Sequence, residues 1–257
     1  MSRILFQYKP GIDYGSLHKE YMKHHPFVPL VWSEQKRIKS FDIPSFLASK
    51  QGGLRVLVLV NDDLYAKQPI HEKIDRYCND IQTAYGGEVI LITVSGGSPE
   101  EIKALIQSYY YSGGLDGAVF MGRIVPAWYE VSNDHYWWEG GHGYADWTCD
   151  LSYMDLDGQW KDKDANGIYD SHIAGAGDIL PEIFVARIDT STMLHYGGEK
   201  FLLNRYLDKN HQYWTGNILL NRFGLVYHDH DWRNEPFHYF NYFFGLGNYE
   251  SRKWNLS

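Results

Sequence analysis

Arg55-Val56-Leu57-Val58-Leu59-Val60 is a continuous apolar, β-branched run that stops abruptly at Asn61-Asp62-Asp63. A strand apolar at every position has both faces buried, which requires a layer packed on each side of its sheet. Downstream, Ile70, Ile74, Tyr77, Cys78, Ile81 and Tyr85 recur at helical spacing, with Pro69 near the start and Gly86-Gly87 as the stop. Cys78 falls on that apolar stripe and reads as a core thiol, protonated among apolar neighbours. Glu88 to Val94 gives a second strand. Ser98-Pro99-Glu100-Glu101 then opens a second helix with an N-cap serine, proline in the first turn and Glu101 placed for a capping box. Ile102, Leu105, Ile106 and Tyr109 mark its buried face, and Gly117 to Gly122 gives a third buried strand after Gly113-Gly114. Strand, helix, strand, helix, strand at this spacing predicts a mainly parallel sheet with helices on its faces.

Beyond Pro126 the character changes. From Ser132 to Asp178 the chain is rich in Gly, Asp and Trp and has little helical periodicity. A segment this long without regular elements is expected to be functional or organised by an ion. Regular structure is predicted to resume with a strand at Ile183–Arg187, a helix from about Glu199 to Trp214, and a strand from Ile218 to Tyr227 that runs into His228-Asp229-His230-Asp231-Trp232. Residues 1–50 form a lead-in with turns around His24-His25-Pro26 and an expected extra strand and loop leading into the sheet. Residues 51–257 form the α/β domain.

Composition narrows the function classes. A formal charge of -8 with no Lys/Arg cluster argues against a nucleic-acid partner. No apolar run is long enough to span a bilayer, and Met1-Ser-Arg-Ile-Leu-Phe6 is too short for a secretory signal, so any export signal is expected outside this chain. The two cysteines, Cys78 and Cys149, allow at most one internal disulfide and make no Cys-x-x-Cys pair. The 21 Tyr and 9 Trp are unusual; they suit ordinary core and interface filling and could also line a ligand site.

Asp155 to Asp170 places five carboxylates and an Asn amide around two glycines. Asp162, Asp164, Asn166 and Asp170 occupy positions one, three, five and nine of a calcium loop, with Gly167 at six for the sharp turn and the Ile168 carbonyl at seven. Asp155 and Asp157 are further candidate ligands. Hard oxygen donors in this order point to Ca²⁺. Ile173 stands at position twelve, where a bidentate Glu is expected, so the loop is not a complete EF-hand, and an acidic hairpin turn at Asn166-Gly167 is the structural alternative.

The order of motifs resembles the gingipain-type cysteine peptidases, clan relatives of the caspases. The resemblance runs from the Val56–Asp63 strand through the Ser98-Pro-Glu-Glu-Ile helix to Leu115-Asp-Gly-Ala-Val-Phe-Met-Gly-Arg-Ile-Val-Pro126. It continues in Cys149-Asp-Leu-Ser-Tyr-Met-Asp-Leu-Asp-Gly158 with its Asp/Asn/Gly loop, in Asp178-Ile-Leu-Pro-Glu-Ile-Phe-Val-Ala-Arg-Ile188, and in Leu225-Val-Tyr-His-Asp-His-Asp-Trp232. Arg123 departs from the family's frequent Asp, Ala186 from its Gly, and Cys149 from a common Ser. The resemblance implies a caspase-like three-layer α/β/α fold, peptide-bond hydrolysis by a His-assisted Cys thiolate, a protein or peptide substrate, and an extracellular or cell-envelope location.

In that family both catalytic residues follow the segment matched by Leu225–Trp232, and no His-Gly, strand and Cys succeed one another after it here. The expectation is therefore a front portion of the peptidase domain that lacks the dyad. His142-Gly143 with Cys149 is the one such pair in order. No buried strand precedes His142, and the seven-residue step between the two is too short for a strand-to-strand return. His142 accordingly reads as a loop residue and Cys149 as a small packed thiol. Alternation would place His228 and His230 on one strand face and Asp229 and Asp231 on the other, either a seed for a metal site or a solvated strand end. The second function class is a non-catalytic, calcium-stabilised binding module, surface-bound or polysaccharide-associated, with Trp137, Trp138, Trp147 and Trp160 as contacts.

Overall fold

The computed structural model describes residues 16–39, 53–134, 143–218, 224–228 and 249–253; side chains are described throughout except at 132–134, 143 and the last two segments. The chain divides into two compact units, 1–211 and 212–257.

The first unit is built on a five-stranded sheet. Its centre is β2 (Leu54–Asn61), flanked by β3 (Gly87–Ser95) and β4 (Gly117–Met121), with β1 (Val31–Lys39) outside β3 and β9 (Phe184–Ile188) outside β4. β2, β3, β4 and β9 run parallel, and β1 pairs antiparallel with β3. The extra strand expected in the first fifty residues is this β1. It belongs to the same sheet as the strands of the α/β domain.

The apolar run of β2 is explained by what lies on either side. Leu57 and Leu59 point, with Ile90, Ile92, Ala118 and Phe120, into a core closed by Ile102, Leu105, Ile106 and Tyr109 of α4 (Pro99–Gly113). Val56, Val58 and Val60 point the other way, with Val89, Leu91, Val119 and Met121. There they meet Ile70, Ile74, Tyr77, Cys78 and Ile81 of α3 (Ile70–Tyr85) and Leu203 and Leu207 of α6 (Gly198–Trp214). Helices thus cover both faces of a mainly parallel sheet.

The boundaries follow local chemistry. α4 begins at a capping box in which Ser98 Oγ accepts from Glu101 N (3.2 Å) while Ser98 N donates to Glu101 Oε2 (2.8 Å). α3 ends where Gly86 and Gly87 take φ of 70° and 79°, and Gly87 lies so close to the Leu54 backbone that a Cβ would collide with it.

Between β4 and β9 the Gly/Asp/Trp-rich segment contains short elements: β5 (Trp128–Asp134) antiparallel to β6 (Gly143–Thr148), the one-turn α5 (Leu151–Met154), and the hairpin of β7 (Gln159–Lys161) and β8 (Ser171–Ile173). An eight-residue α1 (Leu17–His24) precedes β1, and the one-turn α2 (Asp62–Tyr65) follows β2. In the second unit, residues 219–223 of the strand expected from Ile218 to Tyr227 lie outside the described residues. β10 spans Gly224–His228 and pairs in parallel with β11 (Tyr249–Lys253) in a two-stranded sheet of its own. Among the described residues no helix is long and apolar enough to cross a membrane.

Candidate functional site

In chain order β2 is followed by β3 on one side and β3 by β4 on the other, so the winding reverses between β2 and β4. Open α/β sheets bind ligands in the crevice outside the carboxyl ends of their strands at such a reversal. A cleft of about 850 Å³ lies there. Asn61 and Asp63 line it from the end of β2, Arg123 from just beyond β4, and Gly97 and Ser98 from the approach to α4; its far wall is formed by His18 and Tyr21 of α1, Trp128 of β5, and Asn166–Ile168. Trp128 packs against His18 and Tyr21 with ring centroids at 5.4 and 5.5 Å. Its indole N–H is buried without an acceptor among the described residues.

The Asp162–Asp170 loop tips the β7–β8 hairpin at the mouth of this cleft. Asp162 organises the turn: its Oδ1 accepts Asn166 N (3.2 Å) and its Oδ2 accepts Gly167 N (2.8 Å), with Gly167 at φ 89°. Beyond the tip, Tyr169 N donates to Trp128 O (2.9 Å) and Glu130 N donates to Tyr169 O (2.8 Å). These two bonds lay the loop along β5 and bring the buried Glu130 carboxylate against it. Asn166 Nδ2 lies 3.1 Å from each Glu130 carboxylate oxygen and 3.3 Å from Asp164 Oδ2. Glu130, Asp164 and Asp170 bring ligand oxygens within 4.8 Å of one another, a group that could hold a metal ion. The carboxylate missing at position twelve of the loop thus has a counterpart on another element.

Charge in this cluster is poorly balanced. Asp146 of β6 is paired directly opposite Glu130 and is itself buried. Tyr144 donates its hydroxyl proton to Glu130 Oε2 (2.6 Å). Burial pulls the His18 imidazole down, against the upward pull of Asp146, Glu130 and Asp162, so it supplies no full positive charge at neutral pH. Lys163 reaches Asp170 at 3.5 Å from an exposed position. The Asp164 carboxyl is raised above its ordinary value by desolvation, then by the hydrogen bond it shares with Asp162, with the Glu130 charge adding to both.

Asp155 and Asp157 do not join this loop. With Glu182 they form a second group of three carboxylates that could hold a metal ion, set beside a smaller hollow of about 540 Å³. This group already has protein partners. The fully buried Asp155 contacts His172 Nε2 and accepts Gly158 N (2.6 Å), Glu182 accepts Leu156 N, and the Lys103 ammonium feels all three carboxylates while burial lowers its pKa. Trp160 is stacked on His172 at 3.9 Å, with Lys103 Nζ 5.8 Å from its ring centre, and it lines the smaller hollow. Trp147 is 40 % exposed.

Among the described residues nothing activates either thiol. Burial pushes the Cys78 thiol up to about 12, and burial likewise raises half-buried Cys149, whose sulfur lies by the Leu151 and Ser152 amides. His142, Trp137, Trp138, Asp229, His230 and Asp231 lie outside the described residues, and His228 closes β10.

Of the loop residues singled out by spacing, Asp164 and Asp170 belong to the three-carboxylate group, while Asp162 accepts the loop's own amides and Asn166 turns its Nδ2 to Glu130 with its Oδ1 accepting Ile168 N (2.8 Å); spacing did not point to Glu130, Asp146 or Tyr144. A signal for the first existed: Glu130 is a lone carboxylate inside the run Ala127-Trp-Tyr-Glu-Val131, where a charge on a half-buried strand needs a partner. None of the protein-family models, curated proteins or solved structures compared with this chain matches it.

Proposed function

We propose that this chain forms a calcium-stabilised, caspase-like scaffold of the gingipain-type cysteine peptidases, acting outside the cell or at its envelope. Its cleft at the ends of β2 and β4 receives a protein or peptide substrate, and the Asp162–Asp170 loop holds Ca²⁺. The peptidase part of the reading rests on the resemblance of the motifs, and the observation that carries its calcium part is the buried Glu130 carboxylate set against Asp164 and Asp170. Among the described residues the buried or crowded carboxylates outnumber the one lysine, exposed Lys163, that reaches them, which favours a hard divalent ion, and the oxygen-only donor set suits Ca²⁺ over softer metals. Burial raises the thiols of Cys78 and Cys149, which supports the reading that neither serves as the nucleophile.

Two measurements test this. Calorimetric titration of the chain with CaCl₂ is expected to give tight binding that Glu130→Gln weakens; heat-silent titration with an unchanged melting curve removes calcium. Turnover of a reporter peptide by this chain, abolished by Cys149→Ala, would place the working thiol at Cys149 and overturn the assignment. A non-catalytic binding module on the same scaffold is the second reading. The exposed ring of Trp147, which packs on Tyr129 at 5.7 Å, favours it.

A further inference from the structure

We propose that occupancy of the acidic loop by its cation controls the docking of α1, and with it one wall of the cleft. The inference rests on the calcium reading above and adds what the ion regulates.

α1 has little to hold it. Its eight residues include none that is buried, and an isolated helix of this length is unstable in water. Its main anchor is Asp146. One carboxylate oxygen accepts Leu17 N at 2.8 Å; the other accepts His18 N at 3.1 Å and the Ser16 hydroxyl proton. The same Asp146 stands directly across the β5–β6 pair from Glu130, and Tyr144 Oη lies 2.6 Å from Glu130 Oε2 and 3.4 Å from Asp146 Oδ2. One hydroxyl proton cannot serve both carboxylates at once. Ser16 is the N-cap of α1, accepting Lys19 N at 3.0 Å, and Asp146, which takes the Ser16 hydroxyl and the first two amides of the helix, is thus one step from the carboxylate that faces the ion.

A second link bypasses Asp146. Gly167, at the tip of the loop, lies against the His18 ring so closely that a Cβ at that position would sit 3.2 Å from His18 Cε1. His18 and Tyr21 in turn pack on Trp128, and these three residues with Gly167 line the cleft.

Without a cation, Glu130 and Asp146 are buried like charges opposite one another, an arrangement that destabilises a strand pair. Neighbouring Asp162, Asp164 and Asp170 add to the repulsion. The strain is relieved by movement of the loop or of β6, and either motion loosens α1. A bound cation removes the repulsion and fixes both anchors. Coupling of this kind is reciprocal: whatever holds α1 in place must also tighten the ion.

The test uses the whole chain, stripped of ions or loaded with CaCl₂. Hydrogen exchange of the α1 amides 17–24 is expected to slow roughly 10-fold on loading, within the usual range of coupling between sites. Amides of α4 in the core are expected to change much less. Ser16→Ala, which removes the N-cap of α1 together with its contact to Asp146 and no ion ligand, is expected to weaken calcium affinity roughly 5-fold, the lower end of that range. Normal calcium affinity combined with unchanged α1 exchange, or with a silent Ser16→Ala variant, overturns the coupling and leaves the calcium site standing. Absence of calcium heat in the unmodified chain brings down the calcium reading itself, and the coupling with it.

Discussion

Glu130 is the residue on which the site turns, because its effect should change sign with the ion. In the cation-free protein its charge faces Asp146, Asp164 and Asp170, so Glu130→Gln removes repulsion while keeping shape and most hydrogen-bonding capacity. In the calcium-loaded protein the same change removes a ligand charge, and affinity should fall about 10- to 100-fold, at least the effect of altering a group behind a ligand. Melting curves are therefore expected to show the variant equal to or above wild type when stripped, and below it in CaCl₂. The same order under both conditions rules out a cation role for this side chain. Asp162 and Asp164 were legible in the sequence because a turn imposes its spacing locally. Glu130 stood out as a lone charge on a strand, but its link to the loop was not legible, because the Tyr169–Trp128 and Glu130–Tyr169 backbone bonds that make it join segments far apart in the chain.

At the level of elements, the parts legible in advance are those whose burial is regular. α3 and α4 carry apolar residues at helical spacing, and β2, β3 and β4 are buried on both faces, so period and punctuation locate them to within a residue or two. The capping box of α4 shows that local chemistry contributes as well. Ser98→Ala should lower stability by about 1 kcal/mol, since it leaves Glu101 N without its acceptor. Ser98→Asp should restore most of the loss, and chemical denaturation of the three proteins measures both. Other elements left no such trace. β1 is an edge strand of mostly exposed residues, with Val31 and Trp32 facing outward, and α1 buries no side chain. The strands of the Gly/Asp/Trp-rich segment are three to seven residues long, too short for a period to emerge. Their order comes from pairing with each other and with the loop, which composition does not encode.

For the molecule as a whole, pH separates two electrostatic contributions of opposite sign. Glu34 and Asp208 are held below their ordinary range by hydrogen bonds to Arg37 and to Lys73 and Arg76. Their contribution is present above the unfolded carboxylate values of about 4 and is lost as pH falls through the folded ones. Asp164 runs the other way. Its folded carboxyl holds a proton more tightly than the unfolded chain does, so its contribution is complete below about 3.9 and is lost as pH rises through the raised value. Neutral pH is therefore where an ion-free loop is least stable, and it is also where deprotonated ligands bind calcium best. The difference in melting temperature between calcium-loaded and ion-stripped protein cancels Glu34 and Asp208, which are common to both, and isolates the loop. That difference should be largest near pH 7 and should close as the pH falls toward about 4, the range in which free carboxylates take up protons. A difference that stays constant across this range would mean that the ion, if bound, is held by groups other than these carboxylates. The stabilisation itself follows mass action, since an ion that binds only the folded loop adds roughly 2.7 kcal/mol when its free concentration is 100 times Kd. Raising CaCl₂ tenfold at pH 7 should therefore move the melting temperature upward by a constant step, and the same step at pH 4 should vanish with the ligands.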